Sequence, residues 1–351
     1  VFCSVCAPQV CQCCISCPVV APVAQMALMY RSTKALAALC FTATLQGAAS
    51  HAYLSDPPPR NLITHWAGNE VCPHCLNANG PANVARRGGN VWPTSQAPES
   101  HGLCGDPVQN RPDPASLKDE PYMIPSEPQR VYEAGSIVEL RVAVSTHHMG
   151  HYEFRICDFA LDGRTLSSVH EGQQCLDARI MLRAPPDASC TPDDARGDCQ
   201  PIDKNNPGRW YLPPPGKGTQ RADALWDSAK AKPLPSVDEV HTMRFQIPAD
   251  LTCTHCTLQW YYATANTCLP DEDYLEYFRG LDAAGWDAAS WCPWAMESWA
   301  SKSNSCCGPE GKGVLPEEFW NCADIAIVSS FGSSPAVPSP SQPAPSPSQP
   351  A

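Results

Sequence analysis

The strongest constraint on this chain is a repeated alternation of apolar and polar residues with a period of two. Val138, Leu140, Val142 and Val144 alternate with Glu139, Arg141 and Ala143, and Tyr152, Phe154 and Ile156 alternate with Glu153 and Arg155. Met243, Phe245 and Ile247 repeat the pattern, as do Leu258, Trp260 and Tyr262, and it returns weakly over residues 322–327. Such alternation marks strands with one face in a core and the other toward water. The intervening connections are long and rich in Pro, Gly and Asp, which predicts an all-β, antiparallel β-sandwich rather than a βαβ fold. Short helices and long disulfide-tied loops are expected to decorate it.

Two regions read as loop elaborations. Residues 175–235 hold three cysteines and many prolines with little periodicity. Residues 270–305 read as partly helical, with Asp271 as a cap, Tyr274 and Phe278 on one face and Gly280 as a stop. Trp286, Trp291, Trp294 and Trp299 crowd this second insertion, either as a flat stacking surface or as a small satellite core.

Composition shifts divide the chain into four parts. In residues 26–50, Arg31 and Lys34 precede an apolar run over 35–45, and Ala48, Ala49 and Ser50 follow. That order is a signal peptide. The run is about half of the roughly 20 residues that span a bilayer, so no membrane contact is expected after its removal. Cleavage after Ser50 makes His51 the N-terminus of a secreted, extracellular protein. Residues 1–25, with six cysteines and no methionine, read as non-native upstream translation. Residues 51–328 form the expected single domain. Residues 329–351 contain PSPSQPA twice and read as a disordered Pro/Ser-rich linker or tail.

Seven of the 21 cysteines precede residue 51, leaving 14, an even number that supports up to seven disulfides in a secreted chain. Their pairing is not readable from spacing. Cys72-Pro-His-Cys75 and Cys253-Thr-His-Cys256 also invite zinc or redox readings. The turn-like Leu76-Asn-Ala-Asn-Gly-Pro81 after the first lacks the helix that a redox dithiol needs, so plain disulfide halves are expected. Charge excludes another class. The first fifty residues hold only Arg31 and Lys34, so the remainder has 22 basic against 36 acidic groups. Nucleic acid is not an expected partner, because phosphate binding needs a basic footprint.

Three features converge on a metal. An N-terminal His51 offers an amine and a ring nitrogen from one residue, and an α-amino group of pKa about 8 yields its proton to a metal near neutrality. The cluster Thr146-His147-His148-Met149-Gly150-His151 offers a second imidazole, completing a flat three-nitrogen set of the kind that selects Cu(II). Phe319 is an aromatic suited to closing one axial side.

These residues sit in motifs that resemble the chitin-binding type-4 group of lytic polysaccharide monooxygenases, closest to auxiliary activity family 15 and more distantly family 10. HAYLSDPPPRN (51–61) is similar to the family's His-Gly-x-Leu-x-x-Pro-Pro-x-Arg opening, with Ala52 in place of glycine. HHMGHYEFRIC (147–157) resembles its second histidine motif, which implies His148 as the ligand and His147 and His151 as neighbours. CTHCTLQWYYATANTC (253–268) resembles its Cys-x-x-Cys-Val-Leu-Gln-Trp-x-Tyr strand. CCGPEGKGVLPEEFWNCADIAI (306–327) is similar to its ending, lengthened before Glu317 and Glu318, and implies an axial Phe319.

The resemblance implies an immunoglobulin/fibronectin-III-like sandwich with one copper held in a histidine brace by the His51 amine and imidazole and the His148 imidazole. It implies hydroxylation at C1 or C4 of a glycosidic linkage in chitin or cellulose, with an external electron donor and dioxygen or hydrogen peroxide. Glu317 or Glu318 is the implied hydrogen-bonding acid, and Thr146 the residue near the other axial face. The expected partner is an insoluble polysaccharide surface, and the expected state a monomer. Two rival functions use the same scaffold: a noncatalytic chitin- or cellulose-binding module, and an extracellular copper-binding protein without turnover. N-terminal sequencing of secreted protein is expected to return His-Ala-Tyr-Leu from residue 51; any other start removes the amine ligand.

Overall fold

A computed structural model describes residues 51–69, 103–105, 118, 120–191, 197–212, 234, 237–265, 272–286 and 318–329. All of them lie within the compact unit Ser50–Ala351. Four strands form one sheet in the order β1 (His51–Asp56), β3 (Ile137–Thr146), β7 (Glu239–Gln246), β5 (Leu182–Arg183). Five form the other in the order β2 (Arg130–Glu133), β9 (Glu318–Val328), β8 (Cys253–Ala263), β4 (His151–Cys157), β6 (Trp210–Tyr211). The expected all-β sandwich is present. It is antiparallel except where β2 runs parallel to β9.

The alternating residues do what their period implies. Val138, Leu140, Val142 and Val144 of β3 meet Tyr152, Phe154 and Ile156 of β4, with Met243 and Phe245 of β7 and Leu258, Trp260 and Tyr262 of β8, in one buried cluster. β9 is longer and better defined than its weak pattern suggests. Ten of its eleven residues are buried, so both faces are covered and the alternation is lost. β1 escapes a periodicity reading for the same reason: Ala52 and Leu54 enter the main core, whereas Tyr53 packs on Leu62 and Ala143.

The elaborations hold more structure than their composition indicates. Helix α2 (Val169–Asp177) starts at Ser168, whose side chain accepts from the Glu171 N–H, while Glu171 accepts from Ser167. Short β6 extends the second sheet from within the 175–235 stretch. Helix α3 (Glu272–Ala283) carries Tyr274 and Phe278 on one buried face, as expected, but it runs through Gly280. The stop is Gly285, at φ 86°, with the Trp286 N–H closing on the Leu281 carbonyl. Trp286 packs against the cluster of Tyr211, Tyr274, Tyr277, Phe278 and Leu281, a satellite core; Asp271, Trp291, Trp294 and Trp299 lie outside the described residues. No helix among the described residues is long and apolar enough to cross a membrane.

Disulfides join Cys104 to Cys322, Cys157 to Cys175, Cys190 to Cys199 and Cys253 to Cys256, so the Cys-Thr-His-Cys element is a disulfide within itself. Cys72 and Cys75 lie outside the described residues.

Helix α1 (Arg60–Trp66) follows β1 and delivers Arg60 into the interior. Its guanidinium donates to both oxygens of Asp324 on β9, at 2.8 and 2.6 Å, and to the carbonyls of Tyr122 and Leu161. Asp324 also accepts from the backbone and hydroxyl of Ser126. Both charged groups are buried, so removing one strands the other out of water. Arg60→Ala is expected to lower the unfolding free energy by about 3–5 kcal/mol in a urea titration. A loss below about 1 kcal/mol would mean the pair is only weakly coupled to the fold.

Candidate metal centre

One end of the sandwich collects most of the residues singled out in the sequence. His51 opens β1 directly opposite Thr146, the last residue of β3. Residues 147–150 then carry the chain from the first sheet to the second, where His151 opens β4 against Ala263. Ala263 in turn faces Glu318, and Tyr262 faces Phe319, at the start of β9. Register thus places His51 and Phe319 at or next to the strand ends that the connection carrying His148 joins.

The connection that carries His148, residues 147–150, is held through five of its backbone groups. The Ala265 N–H donates to the His148 carbonyl at 3.0 Å, and the Tyr262 hydroxyl donates to the Met149 carbonyl at 2.8 Å. The Gly150 N–H donates to the Tyr274 hydroxyl, and its carbonyl accepts from the Leu212 N–H. Met149 and Gly150 both take positive φ, 54° and 91°, and a Cβ on residue 150 would overlap the Ala263 carbonyl. Glycine is required there by that close approach. The outcome is a half-buried His148 imidazole on a rigid base.

Phe319 is fully buried, and its ring stacks on Tyr262 at 5.5 Å and 24°. Since Tyr262 also donates to Met149, one side chain links the aromatic to the histidine turn. Glu318 projects to the opposite face of β9, where its carboxylate accepts from the Tyr261 hydroxyl at 2.6 Å. Burial, with Glu318 adding to it, raises the Tyr261 pKa well above its ordinary value. Glu317 lies outside the described residues, and Thr146 is exposed.

The three neighbouring histidines have separate destinations. His151 turns to the outer face of β4, 3.6 Å from Glu153, in a group with Arg155 and Arg209. Burial works against ionisation of Glu153, but Arg155, His151 and Arg209 outweigh it and hold the carboxyl well below the usual carboxylate range. His147 turns toward Glu239 and His241 of β7. Those two were not singled out in the sequence, although a signal was present: they extend the phase of Met243, Phe245 and Ile247 with polar residues. Tyr262 and Tyr274, which hold the turn, had no signal beyond their apolar phase.

The architecture is a two-sheet β-sandwich with histidines at the start of its first strand and in the pinned connection between its sheets, a candidate site for a metal. The family model described as lytic polysaccharide mono-oxygenase, cellulose-degrading, matches residues 51–325, and the chain belongs to that family. Comparison with curated proteins gives no match. Among solved structures, the chain is similar to a lytic polysaccharide monooxygenase AA15 from Thermobia domestica in the Cu(I) state, at 21% identity and a TM-score of 0.44, covering 80% of this chain and 99% of that one. It is also similar to a chitin binding domain from Burkholderia pseudomallei, at 10% identity and a TM-score of 0.30, covering 80% and 100%.

The family implies a copper cofactor. The donor chemistry at this end fits it: imidazole is a ligand suited to copper, His148 is rigidly seated, and the buried aromatic Phe319 offers no competing donor.

The Glu153 group sets a pH dependence. A carboxyl depressed in the folded state contributes stability that is complete above its unfolded pKa of about 4.3 and is lost as pH falls toward the folded value. Unfolding free energy is therefore expected to drop between about pH 5 and pH 2, more steeply in the native protein than in Glu153→Gln. Parallel acid profiles for the two proteins would remove Glu153 as the cause.

Proposed function

We propose that this chain is a secreted, copper-dependent mono-oxygenase that breaks glycosidic linkages in chitin or cellulose. The supporting observation is the register of β1 on β3, which sets His51 opposite Thr146, two residues from a His148 whose backbone is pinned. In this reading, cleavage after Ser50 frees the His51 amine. That amine, the His51 imidazole and the His148 imidazole would hold the metal.

Copper, when bound, supplies the redox chemistry by which dioxygen or hydrogen peroxide, with electrons from an external donor, hydroxylates C1 or C4 beside the glycosidic bond. The residues of this chain supply placement. The pinned turn keeps His148 from reorienting, so the ligand set is organised before the metal arrives. Phe319, buried and stacked on Tyr262, would present the metal with a side chain that offers no donor. Glu317 and Glu318 are the acids assigned to this neighbourhood. Glu318, held by Tyr261, acts as a positioning residue for the strand end that carries Phe319. The acidic net charge of -12 does not oppose contact with a neutral polysaccharide surface.

Incubation with Cu(II), ascorbate and chitin or cellulose is expected to release oxidised oligosaccharides, read by mass spectrometry. His148→Ala is expected to reduce both copper uptake and product to background. Copper uptake without product would favour a metal-binding protein without turnover. Binding to the polysaccharide without copper uptake would favour a noncatalytic module.

A further inference from the structure

β7 places Glu239 opposite Val144 and His241 opposite Val142, so both enter the sandwich on the face that buries those valines. His241 is fully buried. Its Nδ1 lies 3.2 Å from the Tyr152 hydroxyl, and its Nε2 lies 3.5 Å from Glu239 Oε1 with no hydrogen bond to that nitrogen among the described residues. From the histidine turn, His147 reaches the same point. Its ring lies 5.8 Å from that of His241 at 69°, and one ligand atom from each of the three side chains falls within 4.8 Å of the others.

We propose that His147, Glu239 and His241 form a second metal site, for a divalent transition cation of the zinc class, separate from the His51 and His148 ligands. Two imidazoles and one carboxylate are a ligand set that tetrahedral zinc accepts, with water as the fourth ligand. Nitrogen and oxygen ligands at about 2.0–2.1 Å from such an ion stand about 3.4 Å apart. His241 Nε2 and Glu239 Oε1 already have that spacing, and only His147 must close in. Tyr152 orients the inner ligand: with the Nδ1–H donated to its hydroxyl oxygen, His241 presents the Nε2 lone pair to the ion.

His147 needs a proton shift. The Met149 N–H donates to its Nδ1 at 3.1 Å, so the ring proton resides on Nε2. Binding through Nε2 moves that proton to Nδ1 and gives up the Met149 bond, which lowers affinity relative to a fully preset site. The cation offsets the charge of Glu239, a carboxylate otherwise held largely out of water. Half-exposed His147 leaves a solvent side for the water ligand.

The test is metal counting on purified protein, with zinc and copper measured separately by mass spectrometry after one equivalent of Cu(II) and then excess Zn(II), followed by desalting. One zinc per chain is expected to be retained beside the copper. Glu239→Gln, close in shape to the native residue, is expected to weaken zinc retention at least tenfold with an unchanged thermal midpoint in the absence of zinc. His51→Ala, which removes a brace ligand, is expected to keep its zinc. Absence of retained zinc, equal retention in Glu239→Gln, or loss of zinc in His51→Ala would each overturn the second site. Loss of copper alone in His51→Ala bears only on the brace.

Discussion

Two anchors from β9 to the segment 54–60 fix the start of the chain at the histidine end. β1 belongs to one sheet and β9 to the other, yet the Leu54 N–H donates to Asn321 Oδ1 at 2.9 Å, and Arg60, six residues further along, forks onto Asp324. Both acceptors are buried, so the bonds act in a medium where water does not compete. An isolated strand of six residues has little hold on its own register, whereas one bonded across the core cannot slip without breaking a buried ion pair. His51, three residues before Leu54, inherits that fixity. The Pro-Pro-x-Arg part of the opening motif thus has a mechanical meaning: the prolines end the strand and the arginine anchors it.

The second contributor to the edge, His148, is fixed by a different device. Residues 147–150 have no regular secondary structure, and a connection between sheets is ordinarily where a chain is most mobile. Here tyrosine hydroxyls from β8 and α3 and backbone groups from 212 and 265 satisfy it. The satellite core is therefore linked to the histidine turn rather than being a remote insertion, since Tyr274 belongs to it and Met149 packs against it.

The sandwich was legible because β3 and β7 leave one face less buried, while β4 and β8, though buried on both faces, carry polar residues such as Glu153, Arg155, Thr257 and Gln259 on the face away from the main core, so alternation survives in the sequence. β1 and β9, covered on both sides, carry no such contrast, and the two-residue β5 and β6 are too short to show a period. The run of α3 through Gly280 has a similar cause: a glycine with open space around it ends nothing when the buried face continues to Leu281. Motif order singled out His51, His148 and Phe319, and the structure places them at or beside the strand ends that residues 147–150 connect. Glu318 was readable as a residue but not as a direction, because a one-residue difference in phase separates it from Phe319.

Glu239 and His241 show why some of the site stayed hidden. Read locally, the phase that continues into Met243 and Phe245 calls for apolar residues, and two ionisable side chains there break the rule that makes a strand recognisable. A sandwich tolerates such breaks only at its ends, where a neighbouring connection supplies partners, and β7 begins at the end where the histidine turn crosses between sheets. The interior thus grades from hydrocarbon around Phe154 and Phe245 to a layer of imidazole, phenol and carboxylate beneath His147. Such a layer is weak evidence for stability, since well-packed apolar residues often hold a core as well as buried ionisable groups do. It lies at the end of β7 that faces the close of β3, where local sequence rules are broken beside the histidine turn, and breaks of this kind are commonest at functional sites.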